Sequence, residues 1–148
     1  MNLTDIEITL ADVAHAPDIF EIEKQSFSVP WSIKSIEDFL KNPDAICIVA
    51  KLDKVVGYVG MYEVCGEGDI TNVAVARDYR GHGIASLLIT ALIQEAERRS
   101  LSKLMLEVRG TNQPALNLYK KYGFTQVGIR KNYYTNPKED AILMDKIV

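Results

Sequence analysis

Arg80-Gly81-His82-Gly83-Ile84-Ala85 lies between a run of strand character, Ile70 to Val75, and a periodic helical stretch that opens near Ile84. A helix start leaves its first N–H groups without partners inside the helix, and the aligned peptide dipoles add positive potential there. An anion, a phosphate above all, can therefore be held by main chain alone. Glycine at 81 and 83 removes the Cβ atoms that would keep such a ligand at a distance. The stretch is not a P-loop, because Gly83-Ile84-Ala85 stands where Gly-Lys-Ser/Thr would supply a lysine for the terminal phosphates and a hydroxyl for magnesium. Nor is it a dinucleotide fingerprint. Ser86 replaces the third glycine of G-x-G-x-x-G, and the turn falls mid-chain after strands of hairpin type instead of after the first strand of a βαβ unit. On its own, a plain strand-to-helix connection explains the turn equally well.

The rest of the chain narrows the choice. Its 148 residues, 47% hydrophobic and 25% charged, suit one domain spanning 1–148 with a sizeable core. A formal charge of −3 argues against nonspecific nucleic-acid binding, which needs a basic patch, and leaves a surface that suits a basic partner. Asp5, Glu7 and Asp12 interrupt the first residues, so no secretory or transit segment is read there, and no apolar run is long enough for a membrane span. Cys47 in an apolar run and Cys65 in a turn form no disulfide pattern, which fits a reduced, cytoplasmic setting. His15 and His82 lack companions at metal-ligand spacing, and no metal is expected.

Periodicity places the elements. Ile6 and Ile8 alternate with polar residues in a short strand. Pro17 opens a helix in which Ile19, Phe20, Ile22 and Glu23 fit a partly buried face, ending near Phe27. After the loop Ser28-Val29-Pro30-Trp31, Ser32 caps a second helix that runs to Leu40. Ala45–Leu52 and Val55–Tyr62 are β-branched runs joined by Asp53-Lys54, and the Cys65–Gly68 turn leads to a strand over Asp69–Val75. Ile84, Leu87, Leu88, Ala91 and Leu92 mark one face of a helix to about Arg99. Leu104, Leu106 and Val108 then point one way on a strand, with Met105, Glu107 and Arg109 on the other. A helix from Gln113 to Tyr122, stopped by Gly123, precedes strands at Phe124–Arg130 and Ala141–Ile147 around a polar loop.

This order resembles the GCN5-related N-acetyltransferase (GNAT) family over nearly the whole chain. Arg80, Gly83 and Ala85 match its R/Q-x-x-G-x-G/A segment, and Asn112-Gln113-Pro114-Ala115-Leu116-Asn117-Leu118-Tyr119 with Tyr122-Gly123-Phe124 matches its N-x-x-A-x-x-L-Y-x-x-x-G-F signature. The resemblance implies an α/β (α+β) fold: a mixed, mostly antiparallel sheet of about seven strands flanked by about four helices. Phe27-Ser28-Val29-Pro30-Trp31-Ser32, Leu106-Glu107-Val108-Arg109, Arg130-Lys131-Asn132-Tyr133-Tyr134 and Glu139-Asp140-Ala141 look like the branch that acetylates N-terminal alanine of ribosomal proteins. The loop Thr135 to Lys138 is shorter than in many such enzymes.

The resemblance implies acetyl-CoA as co-substrate and a peptide α-amine, on a small-subunit ribosomal protein, as acceptor. It assigns the pyrophosphate to main chain at Arg80, Gly81, His82, Gly83, Ile84, Ala85 and Ser86, with the His82 side chain turned to solvent. Val73, Ala74 and Val75 would hold the pantetheine arm and polarise the thioester, and Asn112 would contact the cofactor. Glu107 would be the general base and Tyr119 the acid that protonates the departing thiolate. Each residue also has a plainer reading. Glu107 fits a solvated strand charge paired with Arg109, Tyr119 a core aromatic, Asn112 a helix cap, and Val73–Val75 a small-residue strand. Trp31, Tyr133 and Tyr134 either line an acceptor groove or pack locally. Acetylation of a small amine or internal lysine, and a non-catalytic acyl-CoA-binding module, are the competing functions.

Overall fold

The computed structural model describes Met1–Val148. A seven-stranded sheet, in the order β1-β2-β3-β4-β5-β7-β6, carries two helices on each face. The elements are β1 (Glu7–Leu10), α1 (Ala16–Ser26), α2 (Ile33–Lys41), β2 (Ala45–Lys51), β3 (Val55–Val64), β4 (Glu67–Val75), α3 (Ile84–Arg98), β5 (Lys103–Arg109), α4 (Gln113–Lys121), β6 (Thr125–Tyr134) and β7 (Glu139–Ile147). All neighbouring strands are antiparallel except β4 and β5. This is the mixed, mostly antiparallel sheet that the family resemblance implies.

Local chemistry explains the helix limits. Pro17 sits in the first turn of α1, where its missing N–H costs nothing, and Ser32 Oγ accepts from Ser35 N–H at 3.1 Å to cap α2. Asn112 Oδ1 accepts from Ala115 N–H at 3.2 Å at the start of α4. Two apolar clusters fill the space between layers. One joins Ile84, Leu88, Ile89 and Leu92 of α3 with Leu104, Leu106, Val108, Leu116 and Tyr119; the other joins Ile19, Ile22, Ile36 and Phe39 with Cys47, Val49 and Ala74. The sheet is thus covered on both faces, and β2 is buried along its length instead of alternating.

Strand boundaries differ from the sequence reading in two regions: around the β3–β4 turn, where β3 runs on to Val64, and around the β6–β7 connection. Glu67 and Gly68 belong to β4 and not to the preceding turn. A Cβ at Gly68 would come within 2.6 Å of Leu104 Cδ2, so this glycine serves close packing inside the strand. At the other end of the sheet, β6 continues past Arg130 to Tyr134 and β7 begins at Glu139, leaving Thr135–Lys138 as the connection. The pairing jumps from Arg130↔Ala141 to Tyr134↔Glu139, so three residues of β6 face one of β7. Asn132 adopts φ +52 at this bulge, and its N–H donates to Asp140 Oδ1 at 2.9 Å.

The sheet also parts. β4 and β5 pair only over Glu67–Asp69 with Lys103–Met105, after which they diverge. The starts of α3 and α4 line the opening.

Candidate active site

A cleft of about 530 Å³ follows that opening, lined among others by Val73, Ala74, Val75, Arg80, Gly81, Gly83, Ile84, Ala85, Ser86, Asn112 and Tyr119. Eleven of the residues singled out from the sequence therefore come together from four separate elements. His82 does not join them: its side chain is exposed and lies off the cleft.

The glycine turn has the properties of an anion cradle. Gly81 and Gly83 take φ values of +81 and +86, which disfavour any residue with a Cβ. No side chain caps α3, and the N–H groups of Gly81, His82 and Gly83 find no acceptor in the main chain. Those of Ile84, Ala85 and Ser86 lack partners by helix geometry. The space a Cβ at Gly83 would occupy is nearly free, with Leu3 Cδ1 at 3.6 Å, so backbone conformation and not crowding within the chain demands this glycine. Gly83→Val should therefore cost about 1–3 kcal/mol of stability and weaken acetyl-CoA binding at least tenfold. Gly83→Asn, which tolerates this backbone region better, should keep more stability but still bind less tightly. Calorimetry and thermal unfolding separate the two losses, and wild-type affinity in both variants would remove the cradle from this turn.

Arg80 serves the turn from behind. Its Nε donates to Val75 O at 2.9 Å, and its Nη2 to Ser26 Oγ at 3.1 Å and Gln25 O at 3.3 Å. The guanidinium thus ties the end of β4 to the last turn of α1, a role that its place in the motif did not reveal.

Strand alternation sorts Val73, Ala74 and Val75. Ala76 N–H donates to Val56 O, so the pairs Tyr58↔Ala74 and Val56–Ala76 exchange hydrogen bonds while Gly57↔Val75 and Val59↔Val73 do not. The main-chain groups of Val73 and Val75 consequently face the opening beside β5, as the Arg80 bond to Val75 O requires. Ala74 instead directs its own groups to β3.

Tyr119 is 7% exposed, and its ring meets Phe124 edge-on at 5.7 Å between centroids. It is a core aromatic and a cleft residue at once. Thr71 Oγ1 is the one sealed-off side-chain polar atom without a partner, so the Tyr119 hydroxyl, which makes no bond within the protein, opens to the cleft. Burial, with the Tyr134 phenol nearby, holds its pKa well above the usual tyrosine range. Asn112 is likewise both a helix cap and a cleft residue.

Glu107 projects from the opposite face of β5, beside the point where the strands part, and is not part of the cleft wall. Arg109 is not its partner. That guanidinium bonds Glu139 Oε1 at 3.1 Å, Pro137 O at 2.8 Å and Thr135 O at 2.9 Å, and lies 4.5 Å from the Tyr134 ring centroid. It organises the β6–β7 connection. Arg130 Nη2 approaches Glu107 Oε1 at 3.7 Å and stacks over Tyr133 at 5.2 Å. Interaction with the Glu107 carboxylate is the first reason the Tyr133 phenol pKa is raised. Burial, then Glu107, pushes Tyr134 up to about 12. Loss of hydration, then Glu107, raises Asp69 as well. The β6 bulge is what re-aims Tyr133 toward this carboxylate. Trp31 goes elsewhere, packing on Phe39 at 5.3 Å between centroids.

Sequence reasoning missed Asp69, which it treated only as a strand start, and the cleft residues Ser26, Phe27, Tyr79, Pro114, Ala115 and Leu118. The parallel register of Asp69 with Met105, two residues before Glu107, brings those carboxylates to one face. No spacing in the chain announces it.

The profile of the Acetyltransferase (GNAT) family matches residues 16–124. A Bacillus subtilis (strain 168) protein, provisionally named a ribosomal protein bS18-alanine N-acetyltransferase, is 39% identical over 137 residues, covering 91% of this chain and 89% of its own. The Escherichia coli (strain K12) ribosomal protein bS18-alanine N-acetyltransferase is 34% identical over 142 residues, covering 93% and 94%. The crystal structure of the ribosomal-protein-S18-alanine N-acetyltransferase from Escherichia coli superposes with a TM-score of 0.90 at 31% identity, over 97% of this chain and 94% of that one. An uncapped helix start on a parted sheet thus coincides with close likeness over nearly the full length, and the chain belongs to the acetyltransferase (GNAT) family, as an N-acetyltransferase that takes its acetyl group from acetyl-CoA.

Proposed function

We propose that this chain acetylates the α-amine of a protein, the N-terminal alanine of ribosomal protein bS18 being the acceptor that its relatives' names point to. The observation that carries the reading is the placement of Glu107 and Tyr119 on opposite faces of one strand opening, with the freed main chain of Val73 and Val75 beside it. Acetyl-CoA, when bound, supplies an acyl group already activated as a thioester.

Residues of this chain do the rest. Main-chain N–H groups from Gly81 to Ser86, Ile84 and Ala85 among them, hold the pyrophosphate, and Asn112 flanks the cleft. Val73 and Val75 face the arm, and an N–H from this segment is preorganised for the negative charge that grows on the carbonyl oxygen. Glu107 takes the proton from the attacking amine, directly or through one water. Tyr119 donates toward sulfur as it leaves. Transfer is direct, within a ternary complex. Cys47 is no nucleophile for a two-step route, since burial pushes its thiol up to about 12 and it has no histidine beside it.

An α-amine suits this machinery. Its ordinary pKa of about 7.7–8.0, against about 10.4 for lysine, makes the neutral nucleophile a few hundredfold more abundant near neutrality. Phe27 and Val29 on the loop before α2, with Tyr133 on β6, leave apolar surface exposed on which a peptide can lie. Peptides that differ at residue one, offered with acetyl-CoA beside N-terminally blocked peptides containing lysine, test the reading by mass spectrometry. Acetyl on the α-amine, with alanine preferred, is expected, and the rate should rise with pH up to about 8. Acetylation confined to lysine would overturn it.

A further inference from the structure

The reaction leaves unused the one charged side chain that is wholly buried, Glu23, at 0% exposure. The buried stripe of α1 is otherwise apolar, with Ala16, Ile19 and Ile22, and an apolar residue at 23 would fold at less desolvation cost. The carboxylate is instead met by three donors from three elements. Oε1 accepts from the main-chain N–H of Trp31 at 2.9 Å; Oε2 accepts from the Tyr58 hydroxyl and, at 2.8 Å, from Asn72 Nδ2. Burial, and after it the charge of Glu23, keeps the Tyr58 pKa far above the usual range, so that donor stays in place.

The three donors are positioned for transfer. Trp31 N–H belongs to the loop that carries exposed Phe27 and Val29. Asn72 sits at the β4 bulge, where pairing jumps from Gly60↔Asn72 to Met61↔Ile70 with Thr71 as the extra residue, directly before Val73. The same end of α1 is bound to the donor side, since Arg77 N–H donates to Gln25 Oε1 at 2.8 Å and Arg80 reaches Ser26. Glu23 is therefore the link between the acceptor-side loop and the strand that faces the thioester.

We propose that Glu23 is a positioning residue for the acceptor: its carboxylate fixes the main chain at Trp31, and with it the 27–32 loop, against the β4 bulge, so that the acceptor amine enters in register with Val73–Val75. The inference rests on the protein-acceptor reading above. Glu23→Gln keeps the shape but turns an amide NH₂ toward one of the donors. Its KM for the acceptor peptide should rise at least tenfold, with kcat falling less and acetyl-CoA affinity staying within twofold. Glu23→Gln/Asn72→Asp exchanges amide and carboxylate across the contact and should recover most of the KM. Glu23→Met, which leaves Asn72 Nδ2 and the Tyr58 hydroxyl bonded to each other at 3.1 Å, is a packed variant without the anchor and should show the same KM rise.

An unchanged acceptor KM in Glu23→Gln and Glu23→Met would overturn the assignment. So would equal losses for acceptor and acetyl-CoA, or no recovery in the double variant, since these describe a merely structural contact. The acetylated atom is mapped in the same reactions. Acetyl found on lysine would defeat the α-amine reading alone, because the Glu23 test is the acceptor KM whichever amine reacts.

Discussion

Glu107→Gln is expected to lower kcat for an α-amine acceptor by about 10²–10⁴-fold while acetyl-CoA affinity stays within twofold. The two observables separate because Glu107 projects from the face of β5 opposite Leu106 and lies outside the cleft wall. A solvated strand charge would behave otherwise: substitutions of that kind shift free energies by about 0.5 kcal/mol or less, under threefold in rate. Two further readouts belong to the base and not to the charge. The deficit should narrow as pH climbs beyond the α-amine pKa of about 7.7–8.0, because the acceptor then arrives already neutral. The Tyr133 phenol, raised first by the Glu107 carboxylate, should fall back toward the ordinary tyrosine value in an ultraviolet titration of the variant. Steady-state kinetics with calorimetry settles the main point, and a loss under threefold would return Glu107 to the surface.

What could be read from the chain, and what could not, divides by the range of the interactions involved. Apolar periodicity and β-branched runs between turns located all four helices and seven strands, since each buried stripe is written within one short segment, as in Ile84, Leu88 and Leu92. Gly68 was misplaced because Gly66 and Gly68 together look like turn chemistry, whereas the second is a packing glycine beneath Leu104. The extension of β6 was hidden by its bulge, where Asn132 with φ +52 reads as loop. For the site, the glycine turn and the cap at Asn112 were legible because both are local. Arg80 binding Val75 O and Ser26, Arg109 binding Glu139, and Asp69 facing Glu107 depend on the sheet order, which spacing does not contain. Glu23 left one trace: an acidic residue beside Ile22 on the buried stripe. Its partners Tyr58 and Asn72 lie 35 and 49 residues away.

Tyr119→Phe is the companion case, and the energetics of its phenol sharpen what it can do. A phenol near 10 is a weaker acid than a thiol near 8.5 by about 2 kcal/mol, and burial raises Tyr119 further. Full protonation ahead of C–S cleavage is therefore uphill. Tyr119 must act chiefly as a hydrogen-bond donor to sulfur while charge accumulates there, releasing its proton only as the thiolate separates. Three results follow. kcat should fall about 10²-fold with acetyl-CoA affinity retained. Stability should hold or rise slightly, because the hydroxyl has no partner in the protein and the ring contact with Phe124 survives. The wild-type pH–rate profile should show no limb from Tyr119 below pH 10, since its phenol remains protonated throughout that range. A donor thioester of a more acidic thiol needs less help in leaving, so the gap between wild type and Tyr119→Phe should close with such a donor. If the gap persists unchanged across thiols of different acidity, the hydroxyl acts on something other than the departing sulfur, and the cleft wall at Tyr119 is a binding surface only.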